Sequence, residues 1–334
     1  MIKYPVFLSF SVAYFIIFLK YLFFFRKKTD VFICQYHPYH LAPLTGVILS
    51  KLTGKKSVLR CDDIIFQPPS TANIFNKIFR YFINNLNIFA LKHSDMNIVN
   101  SNELKIYLQN KYAINYDKIK IQYNGVVWDL YQLNKNIDDL KNELKIKNKN
   151  ILIFVGSFYE LRGLDFLIES LPNVIKQFPD VLLLLIGGEE NMYTRNLKIK
   201  VKKLNLEKNV FFFGFLPHEE VIKFIHISDI AIGPLTYTPR TYGTSPKKIG
   251  EYMACSKPII SCIGGQSSFF IKNDYNGILI KLNDLNALER AIIFLLSNKD
   301  VSKNLGENGK KFAKKYLTYD KMKTDLNRWL KDLF

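Results

Sequence analysis

The sequence predicts an α/β protein built from two doubly wound parallel sheets in tandem, facing a cleft. Three observations carry this. Short apolar, β-rich runs alternate with helix-patterned stretches along most of the chain, as repeated β-α units require. The runs are continuously apolar, which suits strands buried on both faces. The 334 residues exceed one domain, at about 100–200 residues each.

In order, Asp30–Cys34 reads as a buried strand, and residues 41–52 as a helix ended by Gly54. Ser57–Cys61 is strand-like, residues 72–91 are helical, and Met96–Val99 is a strand. A helix follows over residues 100–112, with Asn100 as its cap and Glu103 three positions later. Lys118–Gln122 is a strand leading to Tyr123-Asn124-Gly125. Residues 133–150 are polar and charged, the composition of an inter-domain connection. The alternation then restarts with strand-like runs at Ile151–Val155, Val181–Ile186, Val210–Phe213, Ile230–Ile232, Pro258–Cys262 and Gly277–Ile280. The expected domains are 1–148 and 149–312, with 313–334 a helix packing back towards the first. Ligands of such sheets bind beyond the carboxyl ends of the strands, so the cleft is the expected site.

Composition narrows the classes. With 48% hydrophobic and 23% charged residues the chain is globular, not disordered. Lys and Arg number 47 against 29 Asp and Glu, a net charge of +18. That excess suits anionic partners, phosphorylated small molecules or an anionic membrane face, or reflects a lysine-rich coding bias. No nucleic-acid-binding motif accompanies it. Cys34, Cys61, Cys255 and Cys262 form no C-x-x-C and lie in or beside apolar runs. They read as reduced small hydrophobes. No metal site is expected: His37 and His40 flank Pro38-Tyr39, a loop signature. Residues 5–25 are almost wholly apolar, with Lys20 inside the run and Arg26-Lys27-Lys28 after it. Two readings stand for this segment: a core helix, or a helix in contact with a membrane.

The strongest chemical signal is Thr244-Ser245-Pro246-Lys247-Lys248-Ile249-Gly250-Glu251. Ser245 suits an N-cap and Pro246 the first helical position. Free N–H groups at that helix start, with Lys247 and Lys248, make an anion site. Two lysines oppose the helix dipole there, a conflict that an anionic ligand resolves. Glu251, three and four residues on, can accept hydrogen bonds from two ribose hydroxyls. A second signal, Gly156-Ser157-Phe158-Tyr159-Glu160-Leu161-Arg162-Gly163, sits between a strand and a helix, where phosphate loops occur. Arg162 could pair with diphosphate oxygens. Gly187-Gly188 and Gly264-Gly265 are strand-end turns that let a ligand approach backbone. For each signal the plainer alternative is a solvated lysine pair or a simple βα turn.

Taken in order, GSFxxxRGLDFLIESL, LLIGG, FFFGFLP, SDIAIGPL, SPKKIGEYMACSKPIIS and DYNGILI resemble family 4 of the retaining glycosyltransferases, which has the GT-B fold. The resemblance covers residues 151 to about 315 and extends weakly through DVFICQYHP, VNSNELKIYL and YNGVVWDLY. It implies sugar transfer from a nucleoside-diphosphate donor with anomeric configuration kept. It makes Glu251 the ribose-binding acid, and sets Arg162 and Lys248 on the diphosphate. Ser157 stands where many members have arginine. Gly214-Phe215-Leu216 match the segment whose backbone meets the base. Three departures accompany it. Gly243 replaces a frequent glutamate. The first-domain histidine has no counterpart, leaving Asp63 as the candidate there. The opening strand and glycine-rich loop are absent, so the first domain is expected to be shortened.

The implied mechanism is front-face attack, in which a phosphate oxygen takes the acceptor proton and the protein stabilises the leaving diphosphate. No cofactor beyond the donor and no metal are expected. The apolar start, the basic surface and the aromatic-rich stretch Phe75–Phe89 suit a glycan or lipid-linked acceptor and a cytoplasmic, peripheral membrane location. A nucleotide-sugar epimerase of the same fold and a non-catalytic nucleotide-sugar-binding subunit remain as alternatives.

Overall fold

The computed structural model describes residues 29–36, 40–62, 74–132, 137–233, 235–236 and 247–334. The chain divides into two compact units. One contains the described residues up to Tyr123 together with Asp325–Phe334, and the other spans Asn124–Thr324.

In the first unit, β1 (Val31–Gln35), α1 (Ala42–Thr53), β2 (Lys56–Cys61), α2 (Ile74–His93), β3 (Met96–Val99), α3 (Asn102–Tyr112) and β4 (Ile119–Ile121) alternate along the chain. The four strands pair in parallel in the order β1-β2-β3-β4. Neighbouring strand residues face opposite sides of the sheet. Leu59, Cys61 and Val99 pack with Leu104 and Leu108 of α3, while Val58, Met96 and Ile98 pack with Trp329. Three of the cysteines are buried, whereas Cys34 is only partly so.

Helix α1 ends at Gly54, whose φ of 69° is the left-handed conformation that closes a helix. Helix α3 starts one residue later than the sequence suggests. Its cap is Ser101, whose hydroxyl accepts from the Leu104 N–H at 3.0 Å. Asn100 instead donates its amide to the Asp62 carbonyl at 2.8 Å, so a contact 38 residues away settles which of two good caps is used.

The second unit holds α4 (Ile137–Glu143), β5 (Asn150–Val155), α5 (Leu164–Gln177), β6 (Val181–Ile186), α6 (Met192–Lys203), β7 (Val210–Gly214), α7 (His218–Ile227) and β8 (Ile230–Ile232). It continues with α8 (Lys247–Ala254), β9 (Ile259–Cys262), α9 (Gly265–Phe270), β10 (Ile278–Ile280), α10 (Leu285–Ser297), α11 (Lys299–Tyr316) and the start of α12 (Tyr319–Lys331). Its six parallel strands run β10-β9-β8-β5-β6-β7. Leu152, Phe154, Leu183, Leu185, Ile230 and Ile232 form one continuous core with Leu164, Leu167, Ile168 and Leu171 of α5. Each such side chain contributes about 1.5–3 kcal/mol on burial.

The order of this sheet reverses between β5 and β8, where the chain turns from one edge to the other. A crevice opens at such a reversal, outside the carboxyl ends of the two strands. The loops after β5 and β8 are therefore the candidate ligand position of this unit.

The segment after Tyr123 belongs to the second unit through its backbone. Val126 N–H donates to the Leu317 carbonyl at 2.8 Å, and Tyr319 N–H donates to the Val126 carbonyl at 3.1 Å. Among the described residues no helix is long and apolar enough to cross a membrane. The apolar stretch 5–25 lies outside the described residues.

Candidate functional site

Helix α8 delivers the site. Ile249, Tyr252 and Met253 bury one face of it, and Lys248, four residues before Tyr252, shares that face. Lys248 is 8% exposed, whereas Lys247 is exposed. The lysine pair is thus split, one cation turned inward and one outward, and only Lys248 joins the pocket expected for both.

Tyr252 fixes the registry. Strand β8 pairs with β5 only as far as Ile153, so the Val155 N–H on that side has no strand partner. It donates to the Tyr252 hydroxyl at 2.8 Å. This ties α8 to the end of β5 and sets the Lys248 ammonium 3.9 Å from the centre of the Phe154 ring. Gly156 follows, with φ +140°, and a Cβ there would lie 2.6 Å from Lys248 Nζ. The backbone requires the glycine, and a side chain there would displace the lysine tip beside it.

The loop after β5 continues through a 3-10 turn at Glu160–Arg162. The Arg162 guanidinium lies 4.5 Å from the Tyr159 ring centre. Its carbonyl accepts from the Leu235 N–H at 3.4 Å, joining this loop to the one after β8. A Cβ at Gly163 would lie 2.9 Å from Thr236, so the two loops touch closely.

Three buried side-chain atoms in this unit have no hydrogen-bond partner among the described residues: Arg162 Nε, Thr236 Oγ1 and Lys248 Nζ. All three can donate, two belong to cations, and all lie on the loops and helix at the sheet reversal. Burial pushes the Lys248 ammonium well below the usual lysine range; the Arg162 charge pushes the same way and the Glu251 carboxylate opposes them. Buried donors normally find an acceptor. Three without one among the described residues make a candidate place for an anion carrying several acceptor oxygens.

Glu251 is partly buried one turn beyond Lys248. Its carboxylate lies beside the Tyr131 phenol, which burial and that charge push up from the ordinary tyrosine value. The Tyr131 hydroxyl also meets His218 Nε2 at 3.0 Å, and the Tyr131 carbonyl meets His226 Nε2 at 3.0 Å. The geometry therefore sets an acid, backed by a buried tyrosine, close to the cation pocket.

Of the other residues singled out in the sequence, Ser157 is exposed beside Gly156. Gly214 has φ +65°, and a Cβ there would meet nothing within 4 Å; Phe215 is 87% exposed and Leu216 is half-buried. Asp63, Thr244 and Ser245 lie outside the described residues. Gly187 and Gly188 serve differently from expectation. A Cβ on Gly187 would lie 2.7 Å from the Gly156 carbonyl oxygen, and one on Gly188 2.3 Å from the Phe158 ring. Protein, not ligand, occupies the space that these glycines leave.

Sequence reasoning missed Thr236, Tyr252, Phe154 and Tyr131. Tyr252 carried a signal, its i+4 spacing from Lys248. Tyr131 carried none, since its partners are remote in sequence.

A family model described as glycosyl transferases group 1 matches residues 136–312, more than half of the chain. The chain belongs to this family. Two uncharacterized glycosyltransferases of Methanocaldococcus jannaschii are 25% and 30% identical to it, over 83% and 71% of this chain and 69% and 58% of their own lengths. A putative teichuronic acid biosynthesis glycosyltransferase, TuaH of Bacillus subtilis, is 25% identical over 64% of this chain and 52% of its own. This chain thus spans little more than half the length of several relatives. The crystal structure of Anabaena Alr3699/HepE in complex with UDP superposes with a TM-score of 0.78 at 19% identity, covering 96% of this chain and 82% of that one. The fold of this member of the group 1 family is GT-B, as the motif order implied.

Proposed function

We propose that this group 1 chain is a retaining glycosyltransferase of family 4, moving a sugar from a nucleoside-diphosphate donor to a glycan or lipid-linked acceptor in surface polysaccharide or glycolipid synthesis. The observation that carries the reading is the trio of buried donors without a partner among the described residues, Arg162 Nε, Thr236 Oγ1 and Lys248 Nζ, at the sheet reversal. A diphosphate supplies the acceptor oxygens they lack. The relatives support it: HepE was crystallised with UDP and with UDP-glucose, and TuaH is named for a surface polymer.

In this reading Arg162 and Lys248 hold the diphosphate and stabilise the charge that grows on it as the glycosidic bond breaks. The acceptor hydroxyl approaches from the face the diphosphate leaves, and a phosphate oxygen takes its proton. Neither a protein nucleophile nor a metal ion is then required. Glu251 accepts the two ribose hydroxyls, its carboxylate steadied by Tyr131. The acceptor is carried at the cytoplasmic face of a membrane, consistent with the net charge of +18.

Arg162→Ala and Glu251→Ala should each reduce transfer at least about tenfold while circular dichroism and Tm stay near wild type. The assay takes the full chain with UDP-, GDP- or ADP-sugar and a membrane-lipid extract. Near-wild-type rates in both variants would remove the assignment. Inversion of a sugar stereocentre on incubation of the donor without any acceptor would replace transfer with epimerisation.

A further inference from the structure

Helix α2 buries Ile83, Ala90 and Leu91 in the first unit, as a helix on a sheet should. Its opposite face is also apolar. Ile74 is 73% exposed, Ile78 63%, Tyr81 71%, Phe82 60% and Phe89 50%. At 100° per residue these five fall within an arc of about 100°. Soluble proteins scatter large exposed hydrophobics singly; five on one helix face, interrupted by the exposed Asn85, mark an interaction surface.

The charges say what covers it. Neither α2 nor α1 contains one Asp or Glu. Lys77 flanks the stripe and Lys92 ends it, with His93 stacked on Phe89 at 4.0 Å between ring centres. Helix α1 packs beside α2 and adds exposed Ile48 and Leu52 with Lys51 in its last turn. A second copy of the chain would bring identical cations together, each chain carrying +18. An anionic surface offers the opposite: apolar depth for the stripe and phosphate charge for the lysines. Each lysine or arginine near such a surface contributes about 1 kcal/mol. Tyr81, apolar in body and polar at its tip, suits the boundary between the two.

We infer that the α2 stripe, Ile74, Ile78, Tyr81, Phe82 and Phe89 with Lys77 and Lys92, is the face by which the chain lies on an anionic lipid bilayer. It gives the membrane-borne acceptor of the proposed function a docking surface, and rests on that reading for its purpose alone. The stripe inserts in the plane of the interface, its axis along the surface.

The test uses the full chain and vesicles, with neither donor nor sugar acceptor, so it can fail while the transfer reading stands. Wild type should float with vesicles of 70% phosphatidylcholine and 30% phosphatidylglycerol at least about fivefold more than with phosphatidylcholine alone. Ile78→Asp with Phe82→Asp should remove that binding. Both positions are exposed, so Tm should hold. In Phe82→Trp, the added emission should shift to the blue on mixing with the anionic vesicles and be quenched by brominated lipid. Three results would overturn the inference. One is emission from the Phe82→Trp variant that is indifferent to lipid while the Asp variant still floats, which places binding elsewhere, such as residues 5–25. Another is equal binding to both vesicle types. The third is a dimer that the Asp variant dissolves with vesicle binding unchanged.

Discussion

Lys248 shows what a single residue can be asked to do. A buried ammonium without a hydrogen-bond partner among the described residues destabilises the free chain, since burying a polar group unpaired costs about 1–3 kcal/mol by mutational measure. Lys248→Met keeps the stem and removes the charge. It should raise Tm by several degrees, at roughly 2–4 °C per kcal/mol for a unit of this size, while transfer falls at least about a hundredfold. Thermal denaturation and a donor-turnover assay check the two halves. If the lysine were purely structural, Tm would fall instead, and transfer would fall no further than that loss of stability explains. The ionisation gives a second prediction. Burial and the Arg162 charge lower the free Lys248 pKa, and a bound diphosphate raises it again. Binding should therefore take up a proton near and above the free-site value, and affinity should fall as pH rises through it. Titration calorimetry of UDP in buffers of differing ionisation heat measures the uptake, which Lys248→Met should abolish.

At the scale of elements, Tyr252 links strand to helix. Tyr252→Phe leaves the Val155 N–H without its acceptor, a loss of about 1–3 kcal/mol, and frees α8 from the end of β5. Transfer should fall more than the stability change accounts for, because Lys248 loses its placement over Phe154. A Tm shift with unchanged kcat/KM would show that the tyrosine only stabilises. All ten strands were legible in the sequence to within a residue or two at their ends. Burial on both faces imposes unbroken apolar runs such as VLLLLI; β1 reads as a buried strand in the same way, yet it is an edge strand and only partly buried, with Ile33 52% exposed. Boundaries that hang on one side-chain bond were not legible. Asn100 and Ser101 are both good caps, and only the Asp62 carbonyl, across the sheet, takes Asn100 away. In the site, Arg162, Lys248 and Glu251 were readable because motif spacing keeps them within one loop and one helix. Thr236 was not, because its place beside Gly163 depends on two loops meeting from opposite sides of the sheet reversal. The split of Lys247 from Lys248 was readable in hindsight from Tyr252 four residues on.

For the molecule as a whole, the chain passes between its compact units twice, after Tyr123 and again after Thr324. Residues 325–334 carry Leu326, Trp329, Leu330 and Leu333, which cover Val31, Val58, Met96 and Ile98 on one face of the first sheet. Ending the chain at Thr324 should strip that face and lower the stability of the first unit by about 3–5 kcal/mol for the tryptophan alone. Two-probe chemical denaturation, with Trp128 reporting the second unit and far-UV dichroism the whole, would show the transition splitting. An unchanged single transition would deny the segment that part. Synthesis runs in one direction, and this arrangement sets a schedule. At about 5–20 residues per second, the roughly 200 residues of the second unit take some 10–40 s to emerge. For all that time the earlier-made unit waits without the cover of Leu326, Trp329, Leu330 and Leu333, and a newborn chain is sticky at that sheet face until residues 325–334 arrive.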